Sequence, residues 1–142
     1  MIISFLLDGL ISYYFDIMPF FTLTMLTFKT FETKNIVKIS IIFGFLYDIV
    51  YTNTLFLNAF LFFLLTNLIL YLNKNKKTNF LSILIYNTLI IIIYVLINYF
   101  LLIIFRYISF NLLYLLSKLI LSIIINDIYL FMVYFIRKKH NI

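Results

Sequence analysis

The chain has 142 residues, of which 65% are hydrophobic and 11% are charged, and its mean hydropathy is +1.15. A soluble domain carries about a quarter of its residues as charged side chains, so this composition excludes a soluble globular protein and predicts an integral membrane protein. The net charge of +6 is explained by basic loops that meet anionic lipid headgroups, and it requires no nucleic-acid partner.

The apolar segments predict an all-α polytopic fold, with about six transmembrane helices in one bundle. A hydrocarbon core of about 30 Å takes roughly 20 helical residues to cross, and residues 1–142 therefore form a single transmembrane domain. The predicted spans are residues 2–15, 18–28, 36–52, 55–72, 80–105 and 119–136. The third and fourth spans are separated only by a short polar turn, which predicts a helical hairpin.

Residues 2–28 allow two alternatives, because Asp16 and Pro19 interrupt the apolar segment. One continuous helix would be about 40 Å long, which is too long for an upright crossing. Two helices would each be short, and they would thin the bilayer or cross it only partly. We expect two helices and a retained first span, since no basic residue precedes the segment and Asp8 lies within it.

Basic residues favour the cytoplasmic side of a membrane, and their positions orient the chain. With the amino terminus inside, the outer side keeps only Arg106 and Lys118. Both termini are then expected in the cytoplasm. The basic residues that this arrangement places inside are Lys29, Lys34, Lys38, Lys74, Lys76, Lys77, Arg137, Lys138 and Lys139.

The sequence has no cysteine and one histidine, His140, in the charged tail. This composition excludes disulfides and Cys/His metal clusters. The sequence also lacks the Gly-x-Ser-x-Gly and His-Glu-x-x-His patterns and a glycine-rich phosphate loop, and its few charges are scattered. We therefore expect no enzyme activity, no cofactor and no metal site.

One segment, Gly44-Phe-Leu-Tyr-Asp48 and the residues that follow it, differs from generic lipid-soluble sequence. The glycine lies four residues before the aspartate, so both lie on one face of a helix. A short polar turn, Thr-Asn-Thr-Leu, then leads into a second apolar helix. This pattern resembles the rod shape-determining protein MreD family, in which a Gly-x-x-x-Asp pattern closes one span and a turn opens the next.

The resemblance is specific over residues 36–72 and elsewhere concerns the layout, with Asp8 and Pro19 in comparable places. One departure is Phe56, which stands where the family commonly has a glycine after the turn leucine. The resemblance implies a fold similar to the six-helix substrate-binding subunits of energy-coupling-factor transporters.

For function, the resemblance implies a non-enzymatic scaffold in the bacterial cytoplasmic membrane, within the machinery that builds side-wall peptidoglycan during cell elongation. The implied partners are the bitopic protein MreC, a RodA-type glycosyltransferase and a class B penicillin-binding transpeptidase. MreB filaments are an indirect partner, and membrane lipids surround the bundle.

Five residues are candidates for structural roles or partner contacts: Gly44, Tyr47, Asp48, Asn58 and Lys118. A carboxylate at the centre of a span costs about 2.5–3.5 kcal/mol on insertion scales, so Asp48 needs a partner or a cavity. It either pairs with Lys118 or Arg106, or lies at the membrane boundary and caps the next helix. We expect Gly44 to allow close helix packing, and Tyr47 and Tyr51 to be interfacial aromatic residues.

Asp8 and Asp127 lie inside predicted spans, and both are expected to face the interior of the bundle. We favour buried carboxyl groups that are hydrogen-bonded or protonated over a proton or cation relay, because no basic residue lies at their depth.

Two other functions compete with the scaffold. A substrate-binding subunit of a vitamin-uptake transporter would need an outward-opening ligand cavity, with small residues on the first helix to dock its coupling subunit. Ser4, Asp8, Gly9 and Ser12 match that pattern only partly. A small phage or stress-related pore protein has no support beyond hydrophobicity.

Overall fold

The computed structural model describes residues 1–15, 20–30, 35–73 and 79–140, apart from the side chains of residues 14, 15 and 140. Within these ranges the chain is helical and contains no strand, as the composition predicts. The helices are α1 (Ile2–Phe15), α2 (Phe21–Lys29), α3 (Ile36–Tyr47), α4 (Leu57–Leu72), α5 (Phe80–Ile104) and α6 (Leu112–His140). A π-helical turn, Asp48–Thr52, continues α3.

The bundle is built from neighbouring helices that pack against each other, α1 on α2, α3 on α4 and α5 on α6. Helix α2 lies in the centre, and seven of its nine residues are buried. Its leucines Leu23 and Leu26 pack in a core with Phe62 and Leu65 of α4 and with Ile90 of α5. The shortest helix is therefore the one most completely surrounded by the others.

The first apolar segment forms two helices, as expected, but the second is only about 14 Å long at 1.5 Å per residue. Its first residues contact Asp8, which lies near the middle of α1 and not at its end. Helix α2 therefore begins inside the bundle and covers less than half of a hydrocarbon core of about 30 Å. Asp16 and Pro19, which suggested the interruption, lie outside the described residues.

Two helices in the described part of the chain are long and apolar enough to cross a membrane, Phe80–Ile104 and Leu112–Lys139. Two shorter apolar helices are Ile2–Tyr13 and Leu57–Leu72. The predicted crossings by α1 to α4 remain predictions, because these helices do not reach the length of a full crossing by themselves.

Helix α6 begins at Leu112, seven residues before the predicted start at residue 119. The predicted span left residues 112–118 unassigned, but Asn111 caps the helix there, since its Oδ1 accepts a hydrogen bond from the Tyr114 N–H at 3.2 Å. Lys118 consequently lies within the helix. The 29 residues of α6 extend over about 43 Å, so the helix continues beyond a hydrocarbon core.

The amino terminus, the end of α2 and the end of α6 lie at one end of the bundle. Burial and the positive charge of Lys29 lower the pKa of the Met1 amino group. The Arg137 guanidinium lies 5.4 Å from the centre of the Phe28 ring. These basic groups thus share one end of the bundle, as the charge pattern predicts. Arg106 lies in the turn at the other end of α5, and Lys118 lies near the start of α6. Lys34, Lys74, Lys76 and Lys77 lie outside the described residues.

Candidate functional site

Helices α3 and α4 approach each other closely at Gly44. A Cβ atom added to this glycine would lie 2.5 Å from the Cα of Ala59 and 2.6 Å from the carbonyl oxygen of Asn58. Both atoms belong to the backbone of α4, which cannot rotate away as a side chain could. Gly44 therefore allows the close helix approach that the sequence predicts at this position.

The Asp48 carboxylate, which is 1% exposed, caps the amino terminus of α4. Its Oδ1 accepts hydrogen bonds from the Asn58 N–H at 2.9 Å and from the Thr54 hydroxyl at 2.5 Å. Its Oδ2 accepts one from the Ala59 N–H at 3.0 Å. These amides belong to the first turn of a helix, which has no internal acceptor for them and carries a partial positive charge. The negative charge thus lies where the helix stabilises it.

The cap comes from the preceding helix because α4 has no capping side chain of its own. The residue before α4 is Phe56, which makes no side-chain cap and has a left-handed backbone with φ of 60° and ψ of 5°. Glycine adopts this conformation without steric cost, whereas other residues pay roughly 1–2 kcal/mol. The position where the MreD family commonly has glycine is therefore the position where this backbone favours one.

Asn58 extends the network from Asp48 to α5. Its Nδ2 donates to the Asp48 carboxylate at 3.0 Å and to the Thr52 hydroxyl at 2.9 Å. Its Oδ1 accepts a hydrogen bond from the hydroxyl of Tyr94, a buried residue of α5. The polar groups of the α3–α4 hairpin are thereby joined to the neighbouring long helix.

The predicted ion pair of Asp48 with Lys118 or Arg106 is wrong. The Lys118 ammonium instead donates to the Tyr114 hydroxyl at 3.3 Å and lies 5.5 Å from the centre of that ring. Arg106 is exposed and belongs to the turn after α5. Backbone amides and side-chain donors of the next helix occupy the Asp48 carboxylate, which is the capping alternative.

The predicted interfacial position of Tyr47 is also wrong, since its side chain is completely buried. Its ring packs against Phe5, Tyr51 and Phe62, with centroids 4.9–6.2 Å away. Within the described part of the chain, its hydroxyl has no hydrogen-bond partner. Tyr51 is half-buried, and its hydroxyl donates to the carbonyl oxygen of Phe5. Both tyrosines therefore hold α1 against the end of α3.

Asp8 caps the amino terminus of α2 in the same way as Asp48 caps α4. Its carboxylate is completely buried and accepts hydrogen bonds from the N–H groups of Phe21 at 2.6 Å and Thr22 at 2.9 Å, and from the Thr22 hydroxyl at 2.6 Å. The residue before α2 is Phe20, again with a left-handed backbone and no side-chain cap. The sequence indicated that Asp8 is buried but not that it caps a helix. The signal for such a cap is a helix start that has no Ser, Thr, Asp or Asn at its own cap position, because its amides then need an acceptor from elsewhere.

The third acid within a predicted span, Asp127, ties α6 to α5. It accepts hydrogen bonds from Asn87 Nδ2 at 2.9 Å and from the Thr88 hydroxyl at 3.2 Å. The adjacent Asn126 accepts one from the Thr24 hydroxyl of α2 at 2.9 Å. Both side chains face neighbouring helices, which is the orientation predicted for Asp127. In the described part of the chain, no group of three or more His, Cys, Asp or Glu side chains could hold a metal ion.

A pocket of about 330 Å³ opens between the α3–α4 and α5–α6 turns. We call it the turn-end pocket. Buried side chains of Phe20, Tyr94 and Val95 form its base, and Thr54 lines it beside the hairpin. Its rim carries exposed aromatic rings and one basic residue, which are Phe105, Tyr107, Tyr114 and Lys118. Four of the five candidate residues thus meet at the hairpin, and the fifth, Lys118, lies across this pocket.

We expect Gly44→Ala to destabilise the protein by about 1–3 kcal/mol, because the new methyl group would push apart two backbones. The measurement is the midpoint of thermal unfolding in mild detergent. Gly9→Ala is the matched control, since the intrinsic gain in helix propensity is the same. Its added Cβ would lie 2.7 Å from the Tyr51 hydroxyl oxygen, the end of a side chain that can move. Equal midpoints for the two variants would contradict the close contact at Gly44.

We expect Asp48→Asn to lower the free energy of unfolding by about 1–3 kcal/mol, because an amide cannot accept from all the donors that surround this carboxylate. Asp127→Asn is the control and should cost less, because Asp127 accepts only from side chains, which can rearrange. Unfolding in detergent, followed by the loss of a monodisperse species on heating, compares the two. An Asp48→Asn variant as stable as the wild type would refute the capping role.

The chain matches no protein-family model, no curated protein and no solved structure. The Gly44–Asp48 hairpin and the turn-end pocket are therefore the two features from which a function can be argued. The hairpin shows how the helices are held together, and the pocket is a space between them that a ligand could fill.

Proposed function

We propose that this chain is a multi-pass protein of the bacterial cytoplasmic membrane and acts as an MreD-like, non-enzymatic scaffold of the cell-elongation machinery. The observation that carries the proposal is the geometry of the α3–α4 hairpin. Each position of the motif has a physical task there: Gly44 allows backbone contact, Asp48 caps α4, and Phe56 occupies a left-handed backbone position that suits the family's glycine.

The composition supports the membrane part of this proposal. Large hydrophobic side chains are exposed along the described helices, including Ile42 and Phe60 of the hairpin and Ile128 and Phe131 of α6, each at least 50% exposed. In water such apolar surfaces would aggregate, whereas in a bilayer they contact apolar acyl chains. The two long apolar helices, α5 and α6, supply the clearest crossings.

The scaffold part rests on the exposed face of the hairpin. Because the polar groups of the motif point inward to α4 and α5, the outer face of the hairpin is left apolar and holds Ile42, Phe45, Ile49 and Phe60. We propose that this face contacts the membrane segment of an MreC-like bitopic protein. A RodA-type glycosyltransferase and a class B penicillin-binding transpeptidase would join the same assembly, with MreB filaments acting indirectly.

The vitamin-uptake alternative has one favourable observation, the turn-end pocket. Its lining, however, is mainly apolar and aromatic. Of the small or polar residues on α1 that could dock a coupling subunit, Ser4 bonds to the Tyr129 hydroxyl at 2.9 Å and Asp8 caps α2. Both are buried and used inside the bundle, which favours the scaffold.

The orientation is tested by labelling single cysteines, for which the cysteine-free chain gives no background. We expect a membrane-impermeant maleimide to label Tyr107→Cys in intact cells, because this exposed residue lies in the turn between the two long helices. Lys139→Cys, at the opposite end of α6, should react only after the membrane is permeabilised. Labelling of both variants from one side would contradict the proposed crossing of α6.

The scaffold is tested by co-purification with the MreC homologue of the same genome from mild detergent. We expect stoichiometric recovery with the wild type and a several-fold loss with Phe60→Ala, which trims the exposed face of the hairpin without touching the capping network. Phe131→Ala is the matched control, since this phenylalanine is 50% exposed on α6. If MreC is not recovered and mass spectrometry finds a vitamin bound to the purified protein, the scaffold function is refuted and the uptake function is supported.

A further inference from the structure

The turn-end pocket is lined by two chemically different regions. Its inner part is apolar, with Val95, Leu101 and Leu102 of α5 facing Leu57 of α4. Its outer part carries hydroxyl groups and an ammonium group. The volume of about 330 Å³ lies within the range of about 300–1,000 Å³ that is typical of ligand sites. A ligand that fits both regions must itself be amphipathic.

The charge of the pocket is positive. Lys118 is the only charged side chain among the described residues that line it. An ammonium group has three donors, and the one hydrogen bond that Lys118 makes in the described part of the chain goes to the Tyr114 hydroxyl. Asp48, the acid of the described hairpin, makes no ion pair with Lys118, because Thr54, Asn58 and Ala59 surround its carboxylate. The pocket therefore presents a cation with donors to spare.

The position of Lys118 also suits a lipid headgroup. It lies in the second turn of α6, at the end of the bundle where α5 and α6 are joined and where exposed Tyr107 and Tyr114 cluster. Tyrosine and lysine side chains at helix ends meet the headgroup region, with their apolar parts toward the hydrocarbon. An acyl chain that enters between α4 and α5 would thus bring its phosphate to the level of the ammonium group.

We propose that the turn-end pocket binds one membrane phospholipid with a net negative charge, its phosphate on Lys118 and the tyrosine hydroxyls and an acyl chain along Val95 and Leu102. A free phosphate would leave the apolar base unfilled. A zwitterionic choline lipid would bring a second cation beside Lys118, which like charges disfavour. This site goes beyond the scaffold function and requires only that the chain lies in a membrane.

Native mass spectrometry of the delipidated full chain in detergent tests the site. The probes are phosphatidylglycerol, phosphatidylcholine with the same acyl chains, and inorganic phosphate. We expect one phosphatidylglycerol per chain, bound about fivefold more tightly than phosphatidylcholine, as suits one lysine near a membrane surface. Equal binding of the two lipids would overturn the proposal, and so would displacement of the bound lipid by inorganic phosphate.

Three variants locate the binding. Lys118→Gln should lower the affinity for phosphatidylglycerol to that for phosphatidylcholine. Arg106→Gln removes the cation of the α5–α6 turn, which does not line the pocket, and should leave the preference unchanged. Leu102→Trp places a larger side chain at a partly exposed position of the pocket wall and should weaken the binding of both lipids. Equal losses in Lys118→Gln and Arg106→Gln, or no effect of Leu102→Trp, would show that lipid binds to the basic surface and not in the pocket. Recovery of MreC in the separate co-purification is independent of these results.

Discussion

The fold depends on two buried carboxylates that cap the first turns of neighbouring helices. Phe21 and Thr22 of α2 and Asn58 and Ala59 of α4 are buried, and neither helix has a capping side chain of its own. A helix start leaves about four N–H groups without partners, and away from water each such group costs free energy. Asp8 and Asp48 supply acceptors from the preceding helices.

This arrangement explains how the bundle tolerates acids in an apolar chain. A carboxylate inside a membrane protein is costly, but here the cost is offset by three or four hydrogen bonds and by the positive end of a helix. The same bonds choose the helix partners, because Asp8 can satisfy only α2 and Asp48 only α4. The donors that surround each acid are amides and hydroxyls, which are the partners of a carboxylate that fixes one helix to the next.

The sequence predicted the helices better than it predicted which groups contact each other between helices. Apolar length and polar turns predicted six segments, and all six contain a helix, because hydrophobic patterning is a local property. Gly44 was interpreted correctly because one of only two glycines lies on the face that carries Asp48. For Asp48 the sequence left two alternatives open, an ion pair with Lys118 or Arg106 and a cap on the next helix. Only the structure shows that the carboxylate caps α4. No local pattern shows that Phe56 adopts a left-handed conformation. Its aromatic side chain has no acceptor with which to cap α4.

Helix α6 is held differently from the others, and this difference connects the two ends of the molecule. Its fully buried positions in the described part form one narrow stripe, spaced at two turns and then single turns: Leu115, Ser122, Asn126 and Leu130. Polar contacts from this stripe, such as Asn126 with Thr24, set the register of the helix while adding little free energy, about 0.6 kcal/mol each on average in membranes. The register in turn places Tyr114 and Lys118 on the rim of the turn-end pocket. The α3–α4 hairpin is held by a separate set of hydrogen bonds at Asp48. The shape of the pocket rim therefore depends on how α6 packs, whereas the hairpin network does not include α6.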